Sequence, residues 1–152
     1  MTFRLAIIGS GGIAEKHLQS LKELSDFNIS CICDIDKEKA NDLAKNYPGS
    51  QIENNMDKII ANTEIDIVDI CLPPHLHFST ALKFLEAGKH VICEKPLSTS
   101  VNDAQKLIDI SHSMNKNLYP VFQYRYGKNV LILKDLISNG KTGKPIVASS
   151  EV

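Results

Sequence analysis

The 152-residue sequence carries almost no net charge: 17 lysines and arginines stand against 18 acids, leaving −1. That balance removes the electrostatic ground for nucleic acid or an anionic membrane surface as a partner. Apolar runs longer than a strand are missing too, so the sequence holds nothing of membrane-spanning length. Phe3–Ile8 imitates a signal core, but glycines and a charged helix follow it where a cleavage site would stand. Neither a solenoid-type repeat nor a low-complexity stretch occurs. Four cysteines are present, Cys31, Cys33, Cys71 and Cys93, with no Cys-x-x-Cys pair and no zinc spacing. Each falls in a predicted strand and reads as a small buried hydrophobe of a reducing compartment, here the cytoplasm. His75 and His77 lie near Cys71, but at a helix start their rings point to different sides. No metal site is expected.

What is present is an ordinary globular composition, 43% hydrophobic and 23% charged, long enough for one domain with a core on both faces of a sheet. Strand-like segments are Leu5–Ile8, Asn28–Cys33, Ser50–Ile52, Asp66–Leu72, His90–Cys93 and Leu118–Gln123. Helical patterns alternate with them. Asp36–Tyr47 is stopped by Pro48-Gly49, Met56–Asn62 is short, and Leu76–Ala87 has Gly88 as its C-terminal cap. Val101–Met114 is amphipathic, and Val130–Ser138 is stopped by Asn139-Gly140. Such alternation implies right-handed crossovers and an α/β fold with a doubly wound parallel sheet.

The first strand breaks into Gly9-x-Gly11-x-x-Ala14, which opens a helix. Each small residue has a task in a dinucleotide-binding Rossmann turn. Gly9 permits the tight turn, Gly11 lets a pyrophosphate approach the backbone, and Ala14 lets the helix pack on the strand. Gly9, Gly11, Gly12, Ile13 and Ala14 together form the candidate cradle, with the free amides of the helix N-terminus facing the diphosphate. Asp34 ends the second strand twenty positions after Ala14, where a carboxylate accepts both hydroxyls of an adenosine ribose. The competing reading makes Asp34 the N-cap of the next helix. Asp34 would repel a 2′-phosphate and Ile35 offers one nothing, so NAD is expected over NADP; Lys37 is the base that keeps NADP possible. Ligands of open parallel sheets bind outside the carboxyl ends of the strands. Leu72-Pro73-Pro74 and Glu94-Lys95-Pro96 stand at two such ends.

Four segments, in order, resemble the N-terminal domain of the glucose–fructose oxidoreductase / inositol dehydrogenase / MocA family of nicotinamide-dependent oxidoreductases. They are Gly9–Ala14 with His17 downstream, Cys71-Leu-Pro-Pro-His-Leu-His77, Gly88-Lys-His-Val-Ile-Cys-Glu-Lys-Pro96 and Val121-Phe-Gln-Tyr-Arg125. The third is the most specific, and the resemblance covers essentially the whole chain. It implies a NAD(P)-dependent enzyme that moves a hydride to or from a secondary alcohol of a sugar, nucleotide sugar or cyclitol. It sets Leu72, Pro73 and Pro74 against the adenosine and diphosphate, with His77 nearby. Glu94 and Lys95 come beside the nicotinamide ribose, and Lys95 is the catalytic candidate at the substrate hydroxyl. Lys95 can stabilise negative charge on the alcohol oxygen, and burial beside the cofactor would lower its pKa for proton relay. The alternative for Lys95 is a solvated surface lysine. Pro96 fixes the backbone, and such a site suits a cis Lys95–Pro96 bond.

Gln123 and Arg125, at the sixth strand's end, come by resemblance near the carboxamide and substrate; a surface ion pair is the competing reading of Arg125. Tyr124 and Tyr126 alternate with them and read as strand packing, while His17 reads equally as packing. Lys144–Val152 looks like the opening of a further strand with nothing to pair with. Residues 1–143 are therefore expected to form the Rossmann domain and 144–152 to begin a C-terminal domain. By resemblance that domain supplies the remaining acid–base residues, the substrate pocket and a homo-oligomer interface. The chain alone is then expected to fold and bind dinucleotide without turnover. A non-catalytic, redox-sensing dinucleotide module is the runner-up, and Glu94-Lys95-Pro96 argues against it. An adenosyl-donor methyltransferase fold is weaker still, lacking that segment.

Overall fold

Short apolar strands separated by amphipathic helices bury both faces of a sheet only when helices cover both sides. The computed structural model, which describes residues 2–147, takes this solution. Strands β1 (Phe3–Ile8), β2 (Phe27–Cys33), β3 (Gln51–Glu53), β4 (Ile67–Ile70), β5 (His90–Cys93) and β6 (Leu118–Pro120) pair in the order β3-β2-β1-β4-β5-β6. Every pairing is parallel. Helices α1 (Gly12–Leu21), α2 (Lys37–Ala44), α3 (Met56–Ala61), α4 (Pro74–Glu86) and α5 (Val101–Ser113) connect them.

The two-residue period of the strands sorts the core into two layers. Ala6 and Ile8 of β1 join Ile59 of α3, Phe84 and Leu85 of α4 and Leu107 of α5 on one face. Ile7, between them, joins Ala14 and Leu18 of α1 and Ala40 and Leu43 of α2 on the other. Phe84 and Leu85 are fully buried, and each contributes roughly 1.5–3 kcal/mol by leaving water. The four cysteines belong to these layers. Burial pushes the thiols of Cys31 and Cys93 up to about 12 and that of Cys33 to about 11, so all three stay protonated.

Backbone contacts divide the chain after Val121. The first unit holds the whole sheet and helices α1–α5. The second holds a 3-10 turn at Gln123–Tyr126 and α6 (Lys128–Ser138), which share Gly127: its amide donates to the Tyr124 carbonyl at 3.1 Å and its carbonyl accepts from the Leu131 amide at 3.0 Å.

Four expectations are corrected here. The second helix starts at Lys37 because Asp36 caps it, accepting from the amides of Glu38 and Lys39. It ends at Ala44, three residues early, because Asn46 and Tyr47 donate to Leu43 and Ala44 in a tightened last turn before Pro48. The sixth strand stops at Pro120 instead of running to Gln123. After the Val121 amide reaches the Cys93 carbonyl at 2.8 Å, the chain turns into the 3-10 segment. Tyr124 and Tyr126 are exposed there, so they do not pack in a strand. Finally, 144–147 form no strand, and the rest of the expected Lys144–Val152 strand lies outside the described residues.

The tightest backbone approach at the site involves Gly9. Its φ is +99°, and a Cβ there would lie 2.6 Å from the Cys71 carbonyl oxygen at the end of β4. Replacing Gly9 therefore meets both a left-handed backbone and a main-chain clash. Gly9→Ala is expected to lower unfolding free energy by about 3 kcal/mol, measured by urea denaturation. Wild-type stability in that variant would contradict the close approach.

Candidate functional site

The strand order reverses between β1 and β4, opening a crevice outside their carboxyl ends. A chain of contacts joins the segments gathered there. The Gly9 amide donates to the Cys33 carbonyl at 2.7 Å, and the Cys71 amide to the Ile8 carbonyl at 2.8 Å. The glycine turn is thus held between β2 and β4.

The glycines of the turn differ in what they do. Gly9 is required by the fold. Gly11 stands at the N-cap of α1 with φ −77° and ψ 179°, a backbone any residue adopts. A Cβ on Gly11 or Gly12 would meet nothing within 4 Å. These two positions leave open space over the first turn of α1, which no side chain caps. Its free amides face that space, the arrangement that receives a phosphate. Ile13 is partly exposed beside it, and Ala14 is fully buried, where its small size lets α1 sit on β1.

Asp34 leaves β2 at the crevice. One carboxylate oxygen accepts from both the amide and the hydroxyl of Ser10, each at 2.7 Å, and the other from the Asp36 amide at 2.8 Å. The helix cap is Asp36, so the capping alternative for Asp34 is overturned. Partial burial raises the Asp34 carboxyl, but the Ser10 hydroxyl, the two amides and nearby Lys39 outweigh it and hold it below the usual carboxylate range. Ile35 beside it is almost fully exposed. Sequence reasoning missed Ser10 as the residue that orients this carboxylate; its place between Gly9 and Gly11 was the available signal.

On the β4 side, Leu72 is half-buried while Pro73 and Pro74 are exposed at the start of α4. His77 is buried, with Nδ1 2.6 Å from the Pro96 carbonyl oxygen and Nε2 2.7 Å from that of Leu72. Both ring nitrogens are engaged with backbone, so His77 bears on the crevice by joining its two strand-end loops. Glu94 is buried at the end of β5; Lys95 and Pro96 are exposed, and their peptide bond is cis. Gln123 and Arg125 sit exposed in the 3-10 turn of the second unit, not at a strand end.

His17 of α1 is partly buried and makes polar contacts from both sides of its ring. Its Nδ1 lies 2.9 Å from Asp69 and its Nε2 3.0 Å from Glu94. Asp69 is a charge on β4 with 1% exposure. The signal for it was present in the sequence: an aspartate inside the apolar strand Ile67–Ile70 demands a buried partner.

The sequence of residues 3–122 matches the family model described as "Oxidoreductase family, NAD-binding Rossmann fold" (GFO_IDH_MocA). The chain belongs to this family. It is 29% identical over 148 residues to D-glucoside 3-dehydrogenase of Escherichia coli K12, covering 97% of this chain and 42% of that protein. Over 140 residues it is 34% identical to glucose-6-phosphate 3-dehydrogenase of Bacillus subtilis, covering 92% and 39%. The crystal structure of the WlbA dehydrogenase of Chromobacterium violaceum, in complex with NADH and UDP-GlcNAcA, superposes with a TM-score of 0.88. That match has 28% identity and covers 93% of this chain and 41% of that one. The chain therefore spans about two-fifths of the length of the relatives it matches. Among the described residues, no helix is long and apolar enough to cross a membrane.

Because the Asp34 carboxyl is held low when folded, it adds stability above the ordinary carboxylate pKa, lost as pH falls through the folded value. Removing the hydroxyl in Ser10→Ala is expected to raise the folded value. Carboxyl-carbon NMR titration of Asp34 should then give a midpoint higher than wild type; an unchanged midpoint would show that the hydroxyl contributes nothing.

Proposed function

We propose that this chain is the cofactor-binding part of an NAD-dependent dehydrogenase acting on a secondary alcohol of a sugar, nucleotide sugar or cyclitol. The observation that carries the cofactor reading is Gly11. Its own conformation needs no glycine and its surroundings have room for a side chain, yet it leaves bare the uncapped start of α1. A residue that the fold does not need is accounted for by a ligand that needs the space.

The remaining contacts divide between the two halves of the dinucleotide. Gly11, Gly12 and Ile13, with the free amides of α1, receive the diphosphate. Asp34, pre-oriented by Ser10, accepts the adenosine ribose hydroxyls and opposes a 2′-phosphate. Leu72, Pro73 and Pro74 border the adenosine side, and Glu94, Lys95 and Pro96 border the nicotinamide ribose. We assign Gln123 and Arg125 to the carboxamide and substrate end. When bound, the nicotinamide supplies the hydride donor or acceptor. Lys95, through its Nζ, hydrogen-bonds the substrate hydroxyl and stabilises negative charge on that oxygen as the carbon is oxidised. Its exposure in this chain leaves Nζ free to meet a substrate.

The substrate class follows the sugar dehydrogenases among the relatives. We further propose that residues 1–143 form the dinucleotide domain and that 144–152 open a second domain in a longer protein. That domain would complete the pocket and carry a homo-oligomer interface. The reading is supported by the greater length of those relatives. Buried, protonated thiols favour a reducing compartment such as the cytoplasm.

Gly11→Ala separates ligand from fold. Its stability is expected within about 1 kcal/mol of wild type, while NADH affinity measured by calorimetry falls at least about tenfold, or roughly 1.4 kcal/mol. Equal affinity would remove the cradle. In the same assay wild type should bind NADH more tightly than NADPH, and the reverse order would defeat the role given to Asp34.

Lys95→Met should keep NADH affinity within about tenfold yet abolish turnover of the longer enzyme, assayed on sugars and inositols. Near wild-type kcat would leave the chain a dinucleotide-binding or redox-sensing module without this lysine chemistry.

A further inference from the structure

The Lys95 turn is gripped from two helices on opposite faces of the sheet, and one grip passes through charges buried beneath the cradle. Glu94 is 7% exposed and uses both carboxylate oxygens. One meets His17 Nε2 at 3.0 Å, and the other accepts the backbone amide of Lys95 at 2.9 Å. The opposite ring nitrogen of His17 meets Asp69, 1% exposed, at 2.9 Å. On the far side of the same turn, His77 of α4 meets the Pro96 carbonyl. We propose that His17 is a positioning residue for Lys95, acting through Glu94, and that it ties the lysine's turn to the helix that opens at the cradle. The proposal rests on the catalytic reading of Lys95 above for its consequence in turnover, but not for the coupling itself.

The charge state follows from the partners. A carboxylate oxygen accepts and does not donate, so a ring within 3.0 Å of one at each nitrogen donates from both and is an imidazolium. From β4 come Asp69 and Cys71, and from the end of β5 comes Glu94; these are the titratable groups facing the ring among the described residues. The hydrogen bond to Asp69 raises the His17 pKa most. Burial lowers it, and the Asp69 charge together with the Glu94 contact more than restores the rise. The imidazolium is therefore secure below the ordinary histidine value of 6.5 and is lost as pH rises through the higher folded value. Losing it leaves two buried carboxylates without their shared cation, and Glu94 loses the contact that orients its hold on Lys95.

A metal reading of the same atoms is weaker. His17, Asp69 and Cys71 bring ligand atoms within 4.8 Å of one another. The ring nitrogens are already paired, and burial followed by the Asp69 and Glu94 charges pushes the Cys71 thiol far up, against the thiolate a metal takes.

The test needs no variant at first. In NMR titration of the 152-residue chain, the His17 ring and the Lys95 backbone nitrogen are expected to shift with one common midpoint above 6.5. Glu94→Gln, which keeps the side chain's shape, should uncouple the two. A Lys95 resonance that stays flat through the His17 titration overturns the proposal. So does stoichiometric zinc uptake by wild type that His17→Asn abolishes, since the cluster would then be a metal site. In the longer enzyme, His17→Asn should lower kcat at least tenfold with the NADH dissociation constant within threefold, and should move the alkaline limb of the pH profile. Wild-type kcat with an unmoved limb also defeats it, provided Lys95→Met is inactive. If Lys95→Met is active while the NMR coupling is present, the catalytic reading of Lys95 fails and the coupling stands.

Discussion

The parallel pairing of β1 with β4 is the constraint on which the site depends. It joins Leu5 through Ile8 to Ile67 through Ile70, strands separated in sequence by three helices and two strands. Chain order reverses here, so the crossovers on either side leave in opposite directions and their loops part above the strand ends. Closing that pair brings the Gly9 turn against the Cys71 carbonyl, at a separation only glycine tolerates. The start of α1, the Asp34 carboxylate and the β4 and β5 loops then take their places around one crevice.

Beneath the crevice the sheet is not wholly apolar. Asp69 occupies a strand position whose neighbours Val68 and Ile70 are fully buried, and an unpaired carboxylate there would cost several kcal/mol. The imidazole of His17 offsets that cost and takes up Glu94 as well. No buried side-chain nitrogen or oxygen among the described residues is left without a hydrogen-bond partner. The same group of charges that satisfies the interior therefore reaches the backbone of Lys95. Stability and site geometry are linked through one buried network, and the His77 contacts make a second, independent link from α4.

Much of this was legible in the residues. Apolar tetrads such as Leu5–Ile8 and the helical periodicity after them are sufficient for alternating strands and helices, and the α/β parallel arrangement follows from that alternation. Gly9, Gly11 and Ala14 stand where the turn needs them, because backbone conformation there depends on residues only a few positions apart. Element ends were less legible. Asp34 and Asp36 are both competent caps, and which one caps α2 depended on Ser10 drawing Asp34 toward the first turn. Leu118–Gln123 has the composition of one strand, but β5 offers partners only as far as the Cys93 carbonyl, so the ladder ends at Pro120 and Val121.

By itself, then, the sequence determined the class of fold, the glycine turn and which segments end strands, since each is written in short-range pattern and turn chemistry. Tertiary structure alone decided which polar groups meet. Ser10 and Asp34 are 24 positions apart, and His17 and Glu94 are 77 apart. Nothing local in either pair foretells the other, because the distance between such side chains is set by strand order and by the packing of α1 on the sheet. His17 meets two carboxylates at once only because β4 and β5 lie side by side with Asp69 and Glu94 within reach of its ring.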